Sequence, residues 1–436
     1  MTRSGSTKSD KIDGSNATEI SRSVERIIRE GSMQPGDTLP SVRSLAEELG
    51  VSPTTVNAAY RTLRTRGLLV GGRRKGTRVS AAPPVTRRLT TTIPPGVLDL
   101  ATDCPDPTQI PSVGPILDRL DWSGPLLDED NDPGVIALAK AQFEADGIAV
   151  SSPAIMANGV VALERALDAQ VRFGDKVLVE DPCSAEILDM CRTLGLNPVP
   201  VAVDSQGPEL VSFEAGLESG VRAAIVSVRA QDPTSATLSK KRATALKKAL
   251  GQHPEVFVIE YDRVGECAES PLYSVHANAT ECWVAIRSLT YALGSSLSLC
   301  AVTGDSETLG RIEGRLRVGG QLVSPVLQRI VLGFFTDAQA MIIDAVRETY
   351  ARRREALVES LKDMGIQAWG ESGHCVWVPV PEEYPVAQSL RDHGWAVMPG
   401  ERFRIQSPPG IRIVTASLPE RDAERLAETL ASVLRG

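Results

Sequence analysis

No apolar run in the 436 residues approaches the roughly 18 to 20 needed to cross a bilayer, which excludes a chain organised around membrane-spanning helices. The start, Met1-Thr2-Arg3-Ser4-Gly5-Ser6, stays polar through Ala17 and lacks the apolar stretch of a secretory leader, so a cytoplasmic location is expected. The seven cysteines (Cys104, Cys183, Cys191, Cys267, Cys282, Cys300 and Cys375) include no CxxC pair and stand at no metal-ligand spacing with the four histidines. Reduced, mostly buried thiols and no metal are expected. Internal repeats are missing as well. Positive charge is also short, the net value being −8.

That shortage is uneven. Residues 1–80 hold 14 Lys/Arg against 8 Asp/Glu, whereas the rest of the chain holds 33 against 47. Only the first part has the electrostatics to sit on nucleic-acid phosphates. The length suggests about two to four domains.

Residues 1–17 are Ser/Gly/Asp/Lys-rich and aperiodic, and a disordered tail is expected there. From Thr18, Ile20, Val24, Ile27 and Ile28 share one helical face up to Gly31. Gln34-Pro35-Gly36-Asp37 is turn chemistry. A second helix opens at Leu39-Pro40-Ser41, with Ser41 as cap, Leu45, Ala46 and Leu49 as its buried stripe, and Gly50 as its stop. Ser52-Pro53 opens a third, carried by Val56, Ala59, Tyr60 and Leu63 to Gly67. Leu68–Val70 and Thr77–Ser80 read as a hairpin around the basic tip Arg73-Arg74-Lys75. Helix, turn, helix and wing span residues 18–80. The Pro- and Thr-rich stretch 81–97 reads as a semi-rigid linker.

A helix that reads DNA must offer short polar groups and cations on its exposed face. Ser52, Thr54, Thr55, Asn57, Tyr60, Arg61 and Arg64 are candidates on the third helix, Arg66 adds a further cation, Ser41 and Arg43 are candidates for a phosphate contact, and Arg73, Arg74 and Lys75 for the wing. The run from Pro35 to Val56, with Leu39-Pro40-Ser41-Val42-Arg43 and Val51-Ser52-Pro53-Thr54-Thr55, resembles the signature of the GntR family of bacterial regulators. The resemblance implies double-stranded operator DNA as partner, with Arg43, Thr55 and the wing among the contacts.

Beyond Leu98, β-like runs alternate with helical ones: Lys176–Glu180, Ala223–Val228, Val256–Glu260 and Trp283–Ile286. The alternation predicts an α/β domain with a mainly parallel sheet covered on both faces. Asn158-Gly159, Gly174–Pro182, Gln231–Ser235, Gly373-His374, Val397–Gly400 and Ile411-Arg412-Ile413 then resemble the fold-type-I aminotransferase-like domain of the MocR subgroup of GntR regulators. The resemblance covers residues 98–436. It implies a winged helix-turn-helix (α+β) joined to a large aminotransferase-like domain, with a small C-terminal α+β subdomain at about 340–436, assembled as a homodimer.

The departures from that family pattern fall on its chemistry. In the segment Ser288-Leu289-Thr290-Tyr291, Tyr291 stands where the family places its Schiff-base lysine, and no lysine lies between Lys248 and Lys362. Ser298 replaces the phosphate-binding arginine, Tyr261 and Arg263 replace the ring-binding acid and tyrosine, and Ser184 replaces an aromatic residue. Asp262, one residue along, would face the other side of its strand. The expectation is therefore a regulator without enzymatic activity and without pyridoxal phosphate, whose pocket of Asn158, Gly159, Gln231, Tyr261, Ser288, Thr290, Tyr291, Ser298 and Arg412 senses a carboxylate-bearing small molecule through Arg412. The alternatives are a structural Arg412 kept in an internal salt bridge, a ligand-free regulator whose large domain is only a dimer scaffold, a pyridoxal-phosphate-responsive regulator, and an active aminotransferase fused to a DNA-binding domain.

Overall fold

The computed structural model describes residues 11–29, 32–33, 36–65, 68–70, 76–79, 93–120, 131–276, 280–319, 323–335 and 337–435. The chain forms two compact units, Met1–Thr90 with Cys191–Asn197, and Thr91–Met190 with Pro198–Gly436.

In the first unit, α1 (Ala17–Arg29), α2 (Val42–Leu49) and α3 (Pro53–Thr65) bury Ile20, Val24, Leu45, Ala46, Val56, Ala59, Tyr60 and Leu63 in one core. Gly50 ends α2 at φ 65°, a left-handed turn that costs glycine little, and its N–H donates back to the Ala46 and Glu47 carbonyls. Strands β1 (Leu69–Val70) and β2 (Arg78–Val79) pair antiparallel, Leu69 opposite Val79, and both of these side chains enter the core. Leu68 and Thr77 fall outside the wing strands, and Ser80 lies outside the described residues. The wing tip Arg73-Arg74-Lys75 and most of the linker lie outside the described residues.

The second unit opens with β3 (Leu98–Asp99). Its main sheet contains β4 (Ala154–Met156), β5 (Lys176–Asp181), β6 (Asn197–Asp204), β7 (Gly207–Pro208), β8 (Ala223–Ser227), β9 (Phe257–Asp262), β10 (Trp283–Ser288) and β11 (Cys300–Gly304). Their order is β4-β11-β10-β9-β8-β5-β6-β7, with β5, β8, β9 and β10 parallel and β11 antiparallel to both β10 and β4. Every residue of β8 and β9 is buried, as strands covered on both faces require. Helices close over the sheet through Phe143, Phe213 and Leu246, which pack with Leu178, Val226 and Val258.

A smaller sheet holds β12 (Cys375–Pro379), β14 (Met398–Pro399) and β15 (Gly410–Val414) in the order β12-β15-β14, while β13 (Trp395–Ala396) pairs in parallel with β3. The small subdomain thus extends beyond 340–436. Leu98 pairs with Trp395, and Leu100 is buried among Ile411, Ile413 and Leu426. The helix Asp337–Asp363 also packs on this sheet through Leu357 and Leu361.

At the carboxyl ends of β8, β9 and β10, where ligands of open parallel sheets bind, the strands release Arg229, Arg263 and Tyr291. Alternation separates the side chains of β9 into two sets. Asp262 points away from Tyr261 and Arg263, into a buried pairing with Arg229 (2.8 Å) and Arg287 (3.0 Å). Glu260, on that same face, accepts from the Val275 and His276 amides.

Candidate functional site

On α3, Thr54, Asn57 and Arg61 are exposed at i, i+3 and i+7, on one face, opposite buried Val56, Ala59 and Leu63. The Ser52 hydroxyl accepts from the Thr55 N–H (3.1 Å) and lies 2.8 Å from the Thr55 hydroxyl, so these two residues build the helix start. Ser41 likewise accepts from the Ser44 N–H at 3.1 Å, and exposed Arg43 follows it. Tyr60 is a correction: it is fully buried and its hydroxyl donates to the Pro40 carbonyl at 2.9 Å, tying α3 to the chain before α2. The Arg64 side chain, Arg66 and the wing cations Arg73, Arg74 and Lys75 lie outside the described residues.

In the second unit, the Asn158 side chain accepts from the Val161 N–H at 2.9 Å and caps the helix Gly159–Gln170. The Gly159 and Val160 amides have no partner among the described residues, which is the anion-receptive end of a helix. Gly159 is required here, because a Cβ on it would lie 2.8 Å from the Tyr261 hydroxyl.

Beside it lies a charged cluster that sequence reasoning only partly located. The Tyr291 hydroxyl donates to Asp103 Oδ1 (2.5 Å) and lies 2.6 Å from His374 Nε2, which is itself 2.8 Å from Asp103 Oδ1. Arg263 pairs with Asp103 and its guanidinium carbon sits 5.5 Å from the Tyr291 ring centre. Arg412 donates to Asp232 Oδ1 (2.9 Å) and to the Ala101 carbonyl (2.8 Å), and lies 3.8 Å from Asp103. Asp103 carried no motif in the sequence, whereas Asp232 and His374 stood within quoted markers.

The electrostatics follow from this packing. Burial would raise the Asp103 carboxyl, but Arg263, His374 and Arg412 hold it well below the usual range. Burial would lower His374, yet the neighbouring Cys375 and Asp103 outweigh it and push the imidazole up to about 9. Burial and the Asp103 charge together drive the Tyr291 phenol well above its ordinary value. The cluster thus sets Arg263, Arg412 and His374 against Asp103 and Asp232.

Two expected pocket residues serve structure instead. The Gln231 amide donates to the Pro182 carbonyl (2.6 Å) and accepts from the Thr234 N–H (3.1 Å), and Thr290 accepts from the Leu299 N–H (2.7 Å), closing the end of β10 on β11. Ser288 and Ser298 are half-buried. Asp262 is fully committed to Arg229 and Arg287, so it does not replace the missing ring acid.

Glu180, at the end of β5, is fully enclosed and accepts from the Ser227 N–H (2.8 Å) and hydroxyl (2.7 Å). Burial pushes its carboxyl from 4.5 to about 7, against the pull of those bonds. Above 4.5 the unfolded chain gives up a proton that the fold keeps, so stability falls as pH rises toward 7. At about 1.4 kcal/mol per pH unit the loss amounts to about 3 kcal/mol. Glu180→Gln is expected to abolish that slope, giving a protein whose thermal midpoint at pH 8 exceeds that of the wild type; an unchanged pH profile between 4.5 and 7.5 would reject this assignment.

A winged helix-turn-helix followed by an aminotransferase-type α/β unit defines a class: DNA-binding transcriptional regulators with an aminotransferase-like domain. Residues 16–79 match the family of bacterial regulatory proteins, gntR family, and residues 137–430 match aminotransferase class I and II. Over 429 residues the chain is 35% identical to the vitamin B6 salvage pathway transcriptional repressor PtsJ of Salmonella typhimurium, covering 97% of this chain and 99% of that protein. The chain belongs to the MocR-type regulators of the GntR family.

It is also 25% identical over 380 residues to the pyridoxine biosynthesis transcriptional regulator PdxR of Corynebacterium glutamicum, with 80% of this chain and 79% of that protein covered. Among solved structures, the kynurenine aminotransferase of Pyrococcus horikoshii, in complex with PMP, shares the fold at a TM-score of 0.70 and 20% identity over 78% of this chain and 91% of that one.

These findings overturn the expectation of no cofactor. The aminotransferase class I and II match, PMP in a fold neighbour and a pyridoxine regulator among the relatives point to pyridoxal phosphate binding rather than none. The inference from Tyr291 went too far, because the missing amine bears on how the group is held and not on whether it is held. The residues present fit a group held by charge and hydrogen bonds. Arg263 Nε, Arg412 Nε, His374 Nδ1 and Asp232 Oδ2 are buried here without hydrogen-bond partners among the described residues. Buried polar atoms of this kind call for a ligand or water to satisfy them.

Proposed function

We propose that this chain is a sequence-specific DNA-binding regulator, acting as a homodimer, whose aminotransferase-like unit binds pyridoxal phosphate without a covalent link and uses it as a signal. The Gly159 and Val160 amides, with Tyr261 alongside, would hold its phosphate, and Arg263 and Tyr291 would hold its ring. Pyridoxal phosphate supplies an aldehyde and an electron-withdrawing ring; the chain offers no amine at Tyr291 to engage that aldehyde, and no transamination follows. Arg412, held by Asp232 at 2.9 Å, is the carboxylate-reading group of the same pocket. Binding then changes operator affinity by favouring one of two arrangements of the DNA-reading units.

The observation that carries this reading is the substitution of Tyr291 at the strand end where the cofactor is otherwise anchored, together with unpartnered buried cationic atoms beside it. Calorimetric titration with pyridoxal 5′-phosphate is expected to give saturable binding near one per chain, with a shift of the DNA-binding curve. Borohydride followed by intact-mass measurement is expected to show no stoichiometric phosphopyridoxyl adduct. A stoichiometric adduct, or turnover of an amino acid and keto acid pair, would show that the unit is an enzyme.

A further inference from the structure

Among the described residues, every polar contact of the Asp103 carboxylate is with this cluster: Tyr291 at 2.5 Å, His374 at 2.8 Å, Arg263, and Arg412 at 3.8 Å. These partners come from 160 to 271 residues away for the hydrogen-bonded set, so the contact belongs to tertiary structure and not to a local turn. We propose that Asp103 is a built-in anionic occupant of the effector pocket, and that the carboxylate or phosphate of an incoming ligand takes its place on Arg263, His374 and Arg412. The inference rests on the reading of this unit as an effector sensor and adds how the pocket is held when no effector is bound.

Three observations support it. First, the two carboxylates of the cluster differ in access. The Asp232 side chain is 1% exposed and fixed on Arg412, whereas the Asp103 side chain is 18% exposed, at the rim with Arg263, also 18%. A ligand from solvent meets Asp103 first. Second, Asp103 sits midway between two anchors. On one side the Leu100 amide donates to the Ala396 carbonyl (2.8 Å) and the Leu100 carbonyl accepts from the Val414 amide (2.8 Å). On the other, Asp106 is held by Arg353 (2.7 Å) and its own amide donates to the Tyr350 hydroxyl (2.9 Å). Rotation of one side chain between fixed points releases the carboxylate without unfolding the segment.

Third, with Asp103 in place, Arg263 Nε, Arg412 Nε and His374 Nδ1 stay without hydrogen-bond partners among the described residues. An anionic group larger than one carboxylate oxygen pair satisfies donors that Asp103 leaves bare. An uncharged ligand gains no such exchange, so the device selects for anions. It also sets the threshold, since the apparent affinity is reduced by the fraction of molecules in which Asp103 is out of the way.

The test is calorimetry on the full chain and on Asp103→Asn with three probes: pyridoxal 5′-phosphate, pyridoxal and succinate. Whichever anionic probe the wild type binds is expected to bind D103N roughly tenfold more tightly, the gain expected if Asp103 leaves the site open in about one molecule in ten, with pyridoxal unchanged. The probe that responds tells phosphate from carboxylate. Equal or weaker anion binding by D103N, or an equal gain for pyridoxal, makes Asp103 a structural partner and overturns the proposal. Tyr291→Phe removes a donor that holds Asp103 while keeping the cations, and a smaller tightening is expected; it carries the test where D103N does not fold. Equal pyridoxal 5′-phosphate binding by all three proteins sinks this inference and leaves the proposed function standing. Tightening confined to succinate, with no binding of pyridoxal 5′-phosphate anywhere, does the reverse for the vitamer reading.

Discussion

Asp262→Ala is expected to destabilise the aminotransferase-like unit by about 3–5 kcal/mol, enough to consume much of a typical domain's stability. Asp262 is buried and takes Arg229 in a two-pronged pair (3.1 and 2.8 Å), Arg287 at 3.0 Å and the Gly265 amide at 3.2 Å. Arg287 is 1% exposed. Removing the carboxylate leaves two guanidiniums in the interior, with Asp146, Glu266, the Phe143 ring and carbonyls as their neighbours. The charge cannot be shed, since guanidinium does not deprotonate in proteins. Denaturant unfolding followed by circular dichroism checks it. Asp262→Asn, which keeps the shape and one acceptor, is expected to lose less. A loss under 1 kcal/mol for D262A would mean that water reaches both arginines and that the network is not a closed interior pairing.

Operator binding is expected to fall by roughly ten- to a hundredfold in Asn57→Ala, the loss of one base-edge contact being worth about 1–3 kcal/mol. Asn57 is exposed between Thr54 and Arg61 on the outward face of α3, and an amide on that face can address an adenine edge with both its donor and its acceptor. Arg43 has a different role in our reading, gripping phosphate beside the capped start of α2. Arg43→Ala should therefore weaken all sequences alike and lower the slope of log affinity against log salt by about one. Fluorescence anisotropy on operator and scrambled duplexes from 50 to 200 mM salt, about the range over which such contacts are read, separates the two. A uniform loss in N57A, or a sequence-dependent loss with unchanged salt slope in R43A, exchanges or removes these roles. Tyr60→Phe is the internal control for the correction above: it removes the bond to the Pro40 carbonyl and should lower stability by about 1 kcal/mol without altering sequence preference.

Local signals explain how much of the first unit could be read in advance. Ser41, Gly50 and Ser52-Pro53 act on amides and carbonyls within four residues, and each does in the structure what its chemistry dictates. Tyr60 was misread because an aromatic ring with a polar tip on a helix admits both burial and exposure, and only the Pro40 carbonyl twenty residues earlier decides for burial. In the second unit, the strands from Lys176 to Trp283 announced themselves through continuous apolar runs, and the alternation of β9 correctly turned Asp262 away from the pocket.

The cofactor expectation failed for a related reason. Single positions such as Tyr291 and Ser298 report whether one bond is available, whereas affinity is a sum over a pocket whose members are scattered from residue 103 to residue 412. By itself the sequence determined the helix-turn-helix and wing, the charge asymmetry, the parallel sheet and the absence of an amine at Tyr291, because caps, periodicity and residue identity are local properties. Only the tertiary structure decided that β3 pairs with β13, that Gln231 and Thr290 are spent on backbone groups, that Arg412 is held by Asp232, and that Asp103 meets Tyr291, His374 and Arg263. Those contacts join groups a hundred or more residues apart, or depend on which of several possible partners lies nearest, and folding alone brings such groups to hydrogen-bonding distance.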